Sequence, residues 1–337
     1  MVNFSIIVCF YNAKTRLEKT LWHLSKLDIR NFSCELVLVD NNSQDGGLAY
    51  AQDIWKELGS PFPLLTVTEK TPGLSFARKA GVQQAQGNIV VFCDDDNWLN
   101  PNFIQSVAQD VHQFPTAAVI GAKGLRVEGL VTPNWFESVQ EFFAVGSKQC
   151  TPGFVETVYG AGIAVHRNLL LDYYELFKGI LTGRTGAQLS SGEDTEICLA
   201  LQWMGYQIYS NPNNTFQHAI PEDRFTKDYV LGLVKAMAAS QLRIEGLRSI
   251  VYGVPFPFVK RGIQDFLWIL QYSFCLLSPK KRIWYCVWAR FRIQFWIEIA
   301  RNRAHLSHYF QEKYWINTHS VAFTKYSHRS EKPFAGL

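Results

Sequence analysis

The sequence predicts an α/β protein built on a doubly wound, mostly parallel sheet with helices on both faces, extended by a helical C-terminal region. Three features carry this expectation. Short apolar, β-branched runs ending in polar turns recur through the first 120 residues. Stretches with apolar residues at helical spacing separate them, and from about residue 224 onward the chain reads as helical.

Taken in order, "FSIIVCF" (4–10) and "CELVLVD" (34–40) read as buried parallel strands. Between them, "KTRLEKTLWHLSKL" (14–27) places Leu17, Leu21, Leu24 and Leu27 on one helical face. "LLTVTE" (64–69) is a third strand, "SFARKAGVQQAQ" (75–86) a helix and "NIVVFCD" (88–94) a fourth strand. "NPNFIQSVAQDVHQF" (100–114) leads into a further strand, "AAVIGAK" (117–123). Right-handed crossovers wind such helices onto both faces of the sheet, and ligands then sit beyond the carboxyl ends of the strands. Asp40 ends the second strand and Asp94 the fourth, so both belong on that rim. Residues 121–220 are less regular, with Trp135, Phe136 and Phe142 in a loop region.

The chain has 337 residues, 47% hydrophobic and 18% charged, enough for one large domain or two ordinary ones. No internal repeat or low-complexity tract is present. A net charge of +4 is too small to argue for a nucleic-acid partner. Seven cysteines (Cys9, Cys34, Cys93, Cys150, Cys198, Cys275, Cys286) form no CxxC pair and no zinc-like cluster. Their odd count and scatter favour a reducing compartment. "MVNFSIIVCFYN" lacks the charged segment and cleavage site of a signal peptide. No apolar run reaches the roughly 18 residues needed to cross a bilayer. The expected location is the cytoplasm or the cytoplasmic face of a membrane.

"VVFCDDDNW" (90–98) sets three adjacent aspartates at the end of an apolar strand. Clustered carboxylates become tolerable when a cation compensates them, and Mg²⁺ or Mn²⁺ suits hard oxygen ligands and substrate phosphates. Asp94 and Asp96 point to opposite sides of an extended chain, so a turn must bring one or both to an ion. The alternative is a solvated acidic turn ahead of the helix after Pro101.

The longer run "GLSFARKAGVQQAQGNIVVFCDDDN" (73–97) resembles the donor-site signature of family 2 glycosyltransferases, which have the GT-A fold. There an Arg-bearing helix, a small-Gly turn and a strand lead into a DXD-like motif. "SIIVCFYNA" (5–13) and "ELVLVDNNSQDG" (35–46) are similar to the family's first two nucleotide-binding segments. The resemblance covers about residues 4–220 and departs at Phe10, where Thr or Pro is common. It implies a GT-A catalytic domain over 1–225, with a nucleotide-sugar half (1–120) and an acceptor half (121–225). Residues 226–337 remain as a helical, basic and aromatic region.

By the same resemblance a nucleotide-diphospho-sugar, with a UDP-sugar favoured, would bind along Cys9, Tyr11, Asn12, Asp40, Asn42, Ser43, Arg78, Asp94 and Asp95. Asp40 would meet the base, Arg78 the base or diphosphate, and Asp94 the ribose. Asp96 would ligate a divalent cation, Mn²⁺ or Mg²⁺, that bridges the diphosphate. On the residues alone, Asp40 also reads as an Asx-turn residue, and Arg78 as a surface residue of an amphipathic helix.

"SSGEDTEICLALQWMGYQIY" (190–209) opens a helix with an acidic pair, which suits a helix N-terminus. A capping box with Ser191 as N-cap and Asp194 at N3 would account for it locally. The stretch also resembles the family's ED motif, whose Asp is the general base in inverting members. That implies Asp194 as the base that deprotonates an acceptor hydroxyl, with Glu193 beside it the weaker candidate. No Ser–His or Cys–His pair reads as a nucleophile, in line with a single displacement. "YGAG" (159–162) lacks the third glycine and the following acid of a dinucleotide site. Gly160, Ala161 and Gly162 suit either close approach to the sugar or acceptor, or a tight turn. The resemblance places His218 on the metal or diphosphate; a structural histidine is the other reading. Arg224 and Lys227 either close over phosphates or begin a solvated helix.

Residues 243–303 carry eleven Lys and Arg against three acids, amid many Trp, Phe and Tyr. "FLWILQYSFCLLSPKKRIWYCVWARFRIQFWIEIARNR" (266–303) fits helices lying in a membrane interface, which would make the acceptor a lipid-linked glycan or a growing surface polysaccharide. A helical subdomain packed on the core, or an oligomer contact, fits as well. No nucleic-acid motif accompanies the charge. Two other function classes compete with the enzyme. A binding-only module need not keep Asp40, Arg78, Asp94, Asp96 and Asp194 together. A nucleotidyltransferase would carry a glycine-rich basic loop after the first strand, which "CFYNAKTR" lacks.

Overall fold

The computed structural model describes residues 3–146, 151–179, 181, 183 and 191–326. The chain runs β1 (Asn3–Phe10), α1 (Lys14–Ser25), β2 (Ser33–Asp40), α2 (Gly47–Glu57), β3 (Leu64–Thr68), α3 (Leu74–Gln84), β4 (Ile89–Phe92). It continues through β5 (Asn97–Leu99), α4 (Phe103–Gln113), β6 (Ala117–Arg126), β7 (Gly153–Val155), β8 (Ala164–His166) and α5 (Arg167–Leu176). Then come α6 (Glu193–Trp203), β9 (Gln207–His218), α7 (Lys227–Tyr252), α8 (Phe258–Tyr272) and α9 (Pro279–Arg301), with short helical turns after them.

Among the described residues nine strands form one sheet in the order β3-β2-β1-β4-β8-β6-β9-β5, with β7 pairing to β9. The β3, β2, β1 and β4 strands are parallel in the expected doubly wound pattern. Beyond β4 the sheet becomes mixed, because β8 slots in antiparallel between β4 and β6. The expected strand at 117–123 is therefore β6, two places from β4 rather than beside it. Strand order reverses between β1 and β4, which opens a crevice at their carboxyl ends, where ligands collect in open α/β sheets.

The alternation of side chains along each strand builds two cores. Phe4, Ile6, Val8, Leu36 and Leu38 face α1, α2 and α4, whose Leu17, Leu21, Trp55, Phe103 and Ile104 close that side. Ile7, Val37 and Val39 face α3, α5 and α6. Residues of α7 and of the C-terminal turns (Ile244, Leu247, Trp315, Tyr326) join this second core. Burying apolar side chains on both faces is worth roughly 1.5–3 kcal/mol for each large one.

Trp135, Phe136 and Phe142 lie around two short helical turns, and Phe136 and Phe143 are buried against Val230 and Val234 of α7. The α7 helix starts on Thr226, whose Oγ1 accepts a hydrogen bond from the Tyr229 N–H at 3.2 Å, and stops at Gly253 with φ +65°. Six cysteines are free among the described residues; Cys150 lies outside them. Among the described residues no helix is long and apolar enough to cross a membrane.

Candidate active site

The crevice opens into a cavity of about 660 Å³ lined by the ends of β1 and β4, the first turn of α6, and α7 and α9. Of the residues singled out in the sequence, Cys9, Tyr11, Arg78, Asp94, Asp95, Asp96, Gly160, Ala161, Glu193, Asp194 and His218 line it. Asn12, Asp40, Asn42, Ser43 and Gly162 stand outside that lining.

Those four residues before Gly162 form an interlocked turn at the neighbouring strand ends. The Ser43 N–H donates to Asp40 Oδ1 at 2.8 Å, the Asn12 N–H to Ser43 Oγ at 3.0 Å, and the Gln44 N–H to Asn12 Oδ1 at 2.8 Å. Asn12 and Asn42 take φ +46° and +65°, a region asparagine tolerates better than most residues. Asp40 thus accepts from a backbone N–H three residues on, one residue further than in the Asx turn given as its alternative. Asn41, which the sequence reading passed over, does line the cavity. Its Nδ2 donates to the carbonyls of Glu69 (3.0 Å) and Thr71 (2.7 Å), and its Oδ1 accepts from the Gly73 N–H at 2.9 Å. It therefore ties the end of β2 to the start of α3.

The three aspartates diverge to three partners. Asp94 Oδ1 lies 3.5 Å from Arg78 Nη2, and its Oδ2 accepts from Asn97 Nδ2 at 3.1 Å. Asp95 pairs with Arg16 Nη2 at 2.8 Å, while the Thr20 hydroxyl donates to its backbone carbonyl. Burial, together with the charge of Asp96, pushes the Asp95 carboxyl up to about 6 against the opposing pull of Arg16. Asp96 Oδ2 lies 3.1 Å from Arg224 Nη1 and 3.5 Å from His218 Nε2. This is a set of anchored carboxylates rather than a solvated acidic turn.

Arg78 is buried at 3% exposure, so it is no surface residue. Its guanidinium lies 5.0 Å from the Phe92 ring centre and 3.7 Å from Glu193 Oε1. Burial opposes its charge, yet Asp94 and Glu193 raise its pKa overall. Gly160 packs closely here: a Cβ would sit 3.0 Å from Arg78 Nη1 and 3.1 Å from Asp194 Cβ, so a side chain would press on the guanidinium. Gly162 takes φ +67°, and a Cβ there would come within 2.8 Å of the Phe216 ring.

The acidic pair opens α6. Its N-cap is Gly192 at φ +111°, with no side-chain cap, so the capping box on Ser191 is not formed. Asp194 Oδ2 accepts from the Gly160 N–H at 3.0 Å and Oδ1 from the Thr195 N–H at 2.8 Å. Glu193 points toward Arg78, and burial plus the neighbouring Asp194 push its carboxyl up to about 7. Glu196, fully buried one turn on, accepts from the Tyr173 hydroxyl at 3.0 Å and the Leu181 N–H at 2.9 Å, anchoring the helix start. Burial pushes the Cys9 thiol up to about 12, which removes it as a thiolate nucleophile near neutral pH.

His218 Nδ1 contacts the Phe143 carbonyl oxygen at 2.6 Å. A carbonyl cannot donate, so this ring nitrogen carries the proton and Nε2 is directed at Asp96. Metal-binding histidines are oriented in this way by their other nitrogen. Asp96 and His218 together offer one carboxylate and one imidazole. No group of three His, Cys, Asp or Glu side chains that could hold a metal occurs among the described residues. Two protein ligands fit a Mn²⁺ or Mg²⁺ whose remaining positions go to substrate phosphate and water.

Arg16 and Arg224 are the cations that sequence reasoning did not place on the aspartates. Arg16 sits 79 positions from Asp95, and its signal was only its place just after the first strand's rim. Glu141, Met237, Gln241 and Trp288 also line the cavity, drawn from segments with no motif.

Residues 5–172 match the model of Glycosyl transferase family 2. Over 242 residues the chain is 24% identical to the glucosyl-dolichyl phosphate glucuronosyltransferase of Haloferax volcanii, covering 67% of this chain and 72% of that protein. The succinoglycan biosynthesis protein ExoM of Rhizobium meliloti is 23% identical over 226 residues, 66% of this chain and 69% of its own length. Other curated relatives are matched over 26% or 16% of their length. The mannosyltransferase PcManGT from Pyrobaculum calidifontis, solved in complex with GDP-Man and Mn²⁺, shares the fold with a TM-score of 0.58 and 17% identity. That match covers 89% of this chain and 86% of the other. The chain belongs to glycosyl transferase family 2 and is a glycosyltransferase of GT-A fold.

Proposed function

We propose that this glycosyltransferase moves a sugar from a nucleotide-diphospho-sugar, with a UDP-sugar favoured, to a saccharide or lipid-linked acceptor in surface polysaccharide synthesis, with inversion at the anomeric carbon. The observation that carries the reading is the shared cavity: Asp194 opens into the same space as Asp96, His218 and the Arg78–Asp94 pair. Relatives named for glucosyl-dolichyl phosphate and succinoglycan support an acceptor in glycolipid or polysaccharide synthesis.

In this reading residues 1–225 form the catalytic domain, with the donor along Cys9, Tyr11, Asn12, Asp40, Asn42, Ser43, Arg78, Asp94 and Asp95. Asp94 meets the ribose, and Arg78 meets the base or diphosphate. Gly160, Ala161, Gly162 and Glu193 border the sugar. Residues from 226 on contribute α7 and α9 to the acceptor wall. Asp96 and His218 would hold the Mn²⁺ or Mg²⁺, which when bound supplies Lewis-acid neutralisation of the departing nucleoside diphosphate. Asp194 takes the proton of the acceptor hydroxyl as that oxygen bonds to the anomeric carbon and the bond to the diphosphate breaks on the opposite side. One such displacement inverts the centre and needs no protein nucleophile. The backbone N–H groups of Gly160 and Thr195 fix the carboxylate's direction for that transfer.

A screen of nucleotide-sugars for Mn²⁺-dependent binding and slow hydrolysis tests the reading, with Asp96→Ala as control. Metal-dependent binding of one donor, lost in Asp96→Ala, is expected. Binding and turnover of Asp96→Ala like the unsubstituted chain would remove the assignment.

A further inference from the structure

The α8 helix turns its one carboxylate inward and a broad apolar stripe outward. On the inward side, beside Trp268, Ile269 and Tyr272 packed against α9, Asp265 is buried and accepts from Trp296 Nε1 at 3.0 Å and from Arg261 Nε at 3.1 Å. Arg292 Nε lies 3.2 Å from the other carboxylate oxygen, with its guanidinium 3.9 Å above the Trp268 ring centre. These partners lie on α8 itself and on α9, so the ionic cluster holds the two helices together. The outward side is apolar instead. Val259, Ile263, Phe266, Leu267 and Leu270 are exposed, at 78%, 56%, 62%, 55% and 55%, and Phe274 in the following turn continues the stripe. Their spacing of three and four residues puts them on one face.

A water-facing helix gains by the opposite arrangement, and scattered single apolar side chains would need no explanation. Here they are contiguous, which marks a surface made to be covered. The charge around it says by what. From Phe258 to Ile293 the only carboxylate in the chain is Asp265, and it is turned inward. Lys260, Lys281, Arg282 and Arg290 are exposed in the same stretch. An apolar face in a stretch whose exposed charges are all cations complements an anionic lipid surface, with the stripe among the acyl chains and the cations at the headgroups. A second copy of this chain would instead bring like charges together.

We propose that the outer face of α8 docks the enzyme in the plane of an anionic membrane. The consequence for catalysis rests on the transferase reading given above. The α9 helix that anchors α8 through Arg292 and Trp296 also puts Trp288 into the cavity wall, so docking sets the acceptor side of the cavity close to the lipid. The acceptor class this favours is a saccharide carried on a lipid.

The test is co-sedimentation of the full chain with phosphatidylcholine vesicles, with and without phosphatidylglycerol. Sedimentation with the anionic vesicles, weakened by salt, is expected. Leu267→Glu with Leu270→Glu should lower the bound fraction about tenfold or more, since both side chains leave the acyl layer. Lys281→Glu with Arg282→Glu should erase the preference for anionic lipid. All four positions are exposed or partly so, and unchanged melting temperatures would show that folding is intact. Vesicle binding needs no sugar donor, so Asp96→Ala should bind vesicles normally even as it loses donor binding. The proposal falls if the unsubstituted chain stays in the supernatant with both vesicle types, or if the paired leucine variant sediments equally. It falls too if light scattering reveals a dimer that the leucine substitutions split, since the face is then a protein contact.

Discussion

Asp194→Asn separates binding from proton transfer at one atom. The carboxylate accepts two backbone hydrogen bonds, one on each oxygen, from the Gly160 and Thr195 N–H groups. Asparagine keeps one oxygen, so in either orientation its amide nitrogen faces a backbone donor. Leaving one buried donor unmet costs about 1–3 kcal/mol of stability. Loss of the base costs about 10²–10⁴ in rate, equivalent to about 2.7–5.4 kcal/mol of barrier. The two losses are read by different instruments. Calorimetric titration with the donor identified in the screen should give an affinity near that of the unsubstituted chain, because Asp96, His218 and Arg78 are untouched. Initial rates of transfer at saturating donor should fall at least about 100-fold. Transfer within a few-fold of normal would refute Asp194 as the base. If Glu193→Gln, rather than Asp194→Asn, abolishes transfer with donor binding intact, the role passes to Glu193.

Two other perturbations follow from the same geometry. Gly160→Ala forces a methyl to within 3.0 Å of a buried guanidinium. Overpacking of this kind costs about 1–3 kcal/mol, and a weakened donor affinity should accompany a lowered melting temperature; an unchanged affinity would show that Arg78 does not touch the donor. The Glu193 carboxyl is raised to about 7 from 4.5, so its contribution is present at acid pH and lost as the pH rises through 7. Relative to Glu193→Gln, the unsubstituted chain should lose stability as the pH rises from 5 to 8; melting temperatures of the two proteins that run parallel over this range would contradict this.

Much of this fold was legible because its strands are apolar on both faces and end at polar turns. The runs 4–10, 34–40 and 88–94 needed no partner information to be recognised, and the Asp94–Asp96 rim followed from them. The helix α2 was not legible: "GLAYAQDIWKE" opens on glycine after a glycine N-cap, so no capping side chain marks its start. The strands β5 and β8 are three residues each, too short for any period to register. Their positions come from pairing, β8 with Val90 and Val91 and β5 with β9. At the site, residue types predicted the chemistry but not the partners. Arg16, Asn41 and Arg224 act across long sequence separations that no local pattern reports. The basic, aromatic character of 266–303 was plain, yet which side of α8 carries the charge depends on Arg292 and Trp296 of another helix.

The aspartate run shows how partners change a charge argument. Three adjacent carboxylates seemed to call for a divalent ion to balance them. Each instead meets its own cation from a separate element: Arg78 of α3, Arg16 of α1, and Arg224 after β9. A metal, in the proposed reaction, would therefore answer the charge of the leaving diphosphate and not that of the run itself. Only at Asp96 do a cation and a candidate metal ligand, His218, meet the same carboxylate oxygen. Arg224 lies in a short turn, Glu222–Arg224, just ahead of α7. A side chain so placed competes with a divalent ion for Asp96 and, once displaced, is within reach of the phosphates. Arg224→Met should therefore tighten Mn²⁺ binding in the absence of donor and slow transfer in its presence, as the leaving group loses a cation. Both are measurable, by Mn²⁺ titration followed by paramagnetic resonance and by initial rates. Weaker Mn²⁺ binding, or transfer unaffected, would show that Arg224 holds the loop closed and does nothing for the phosphates.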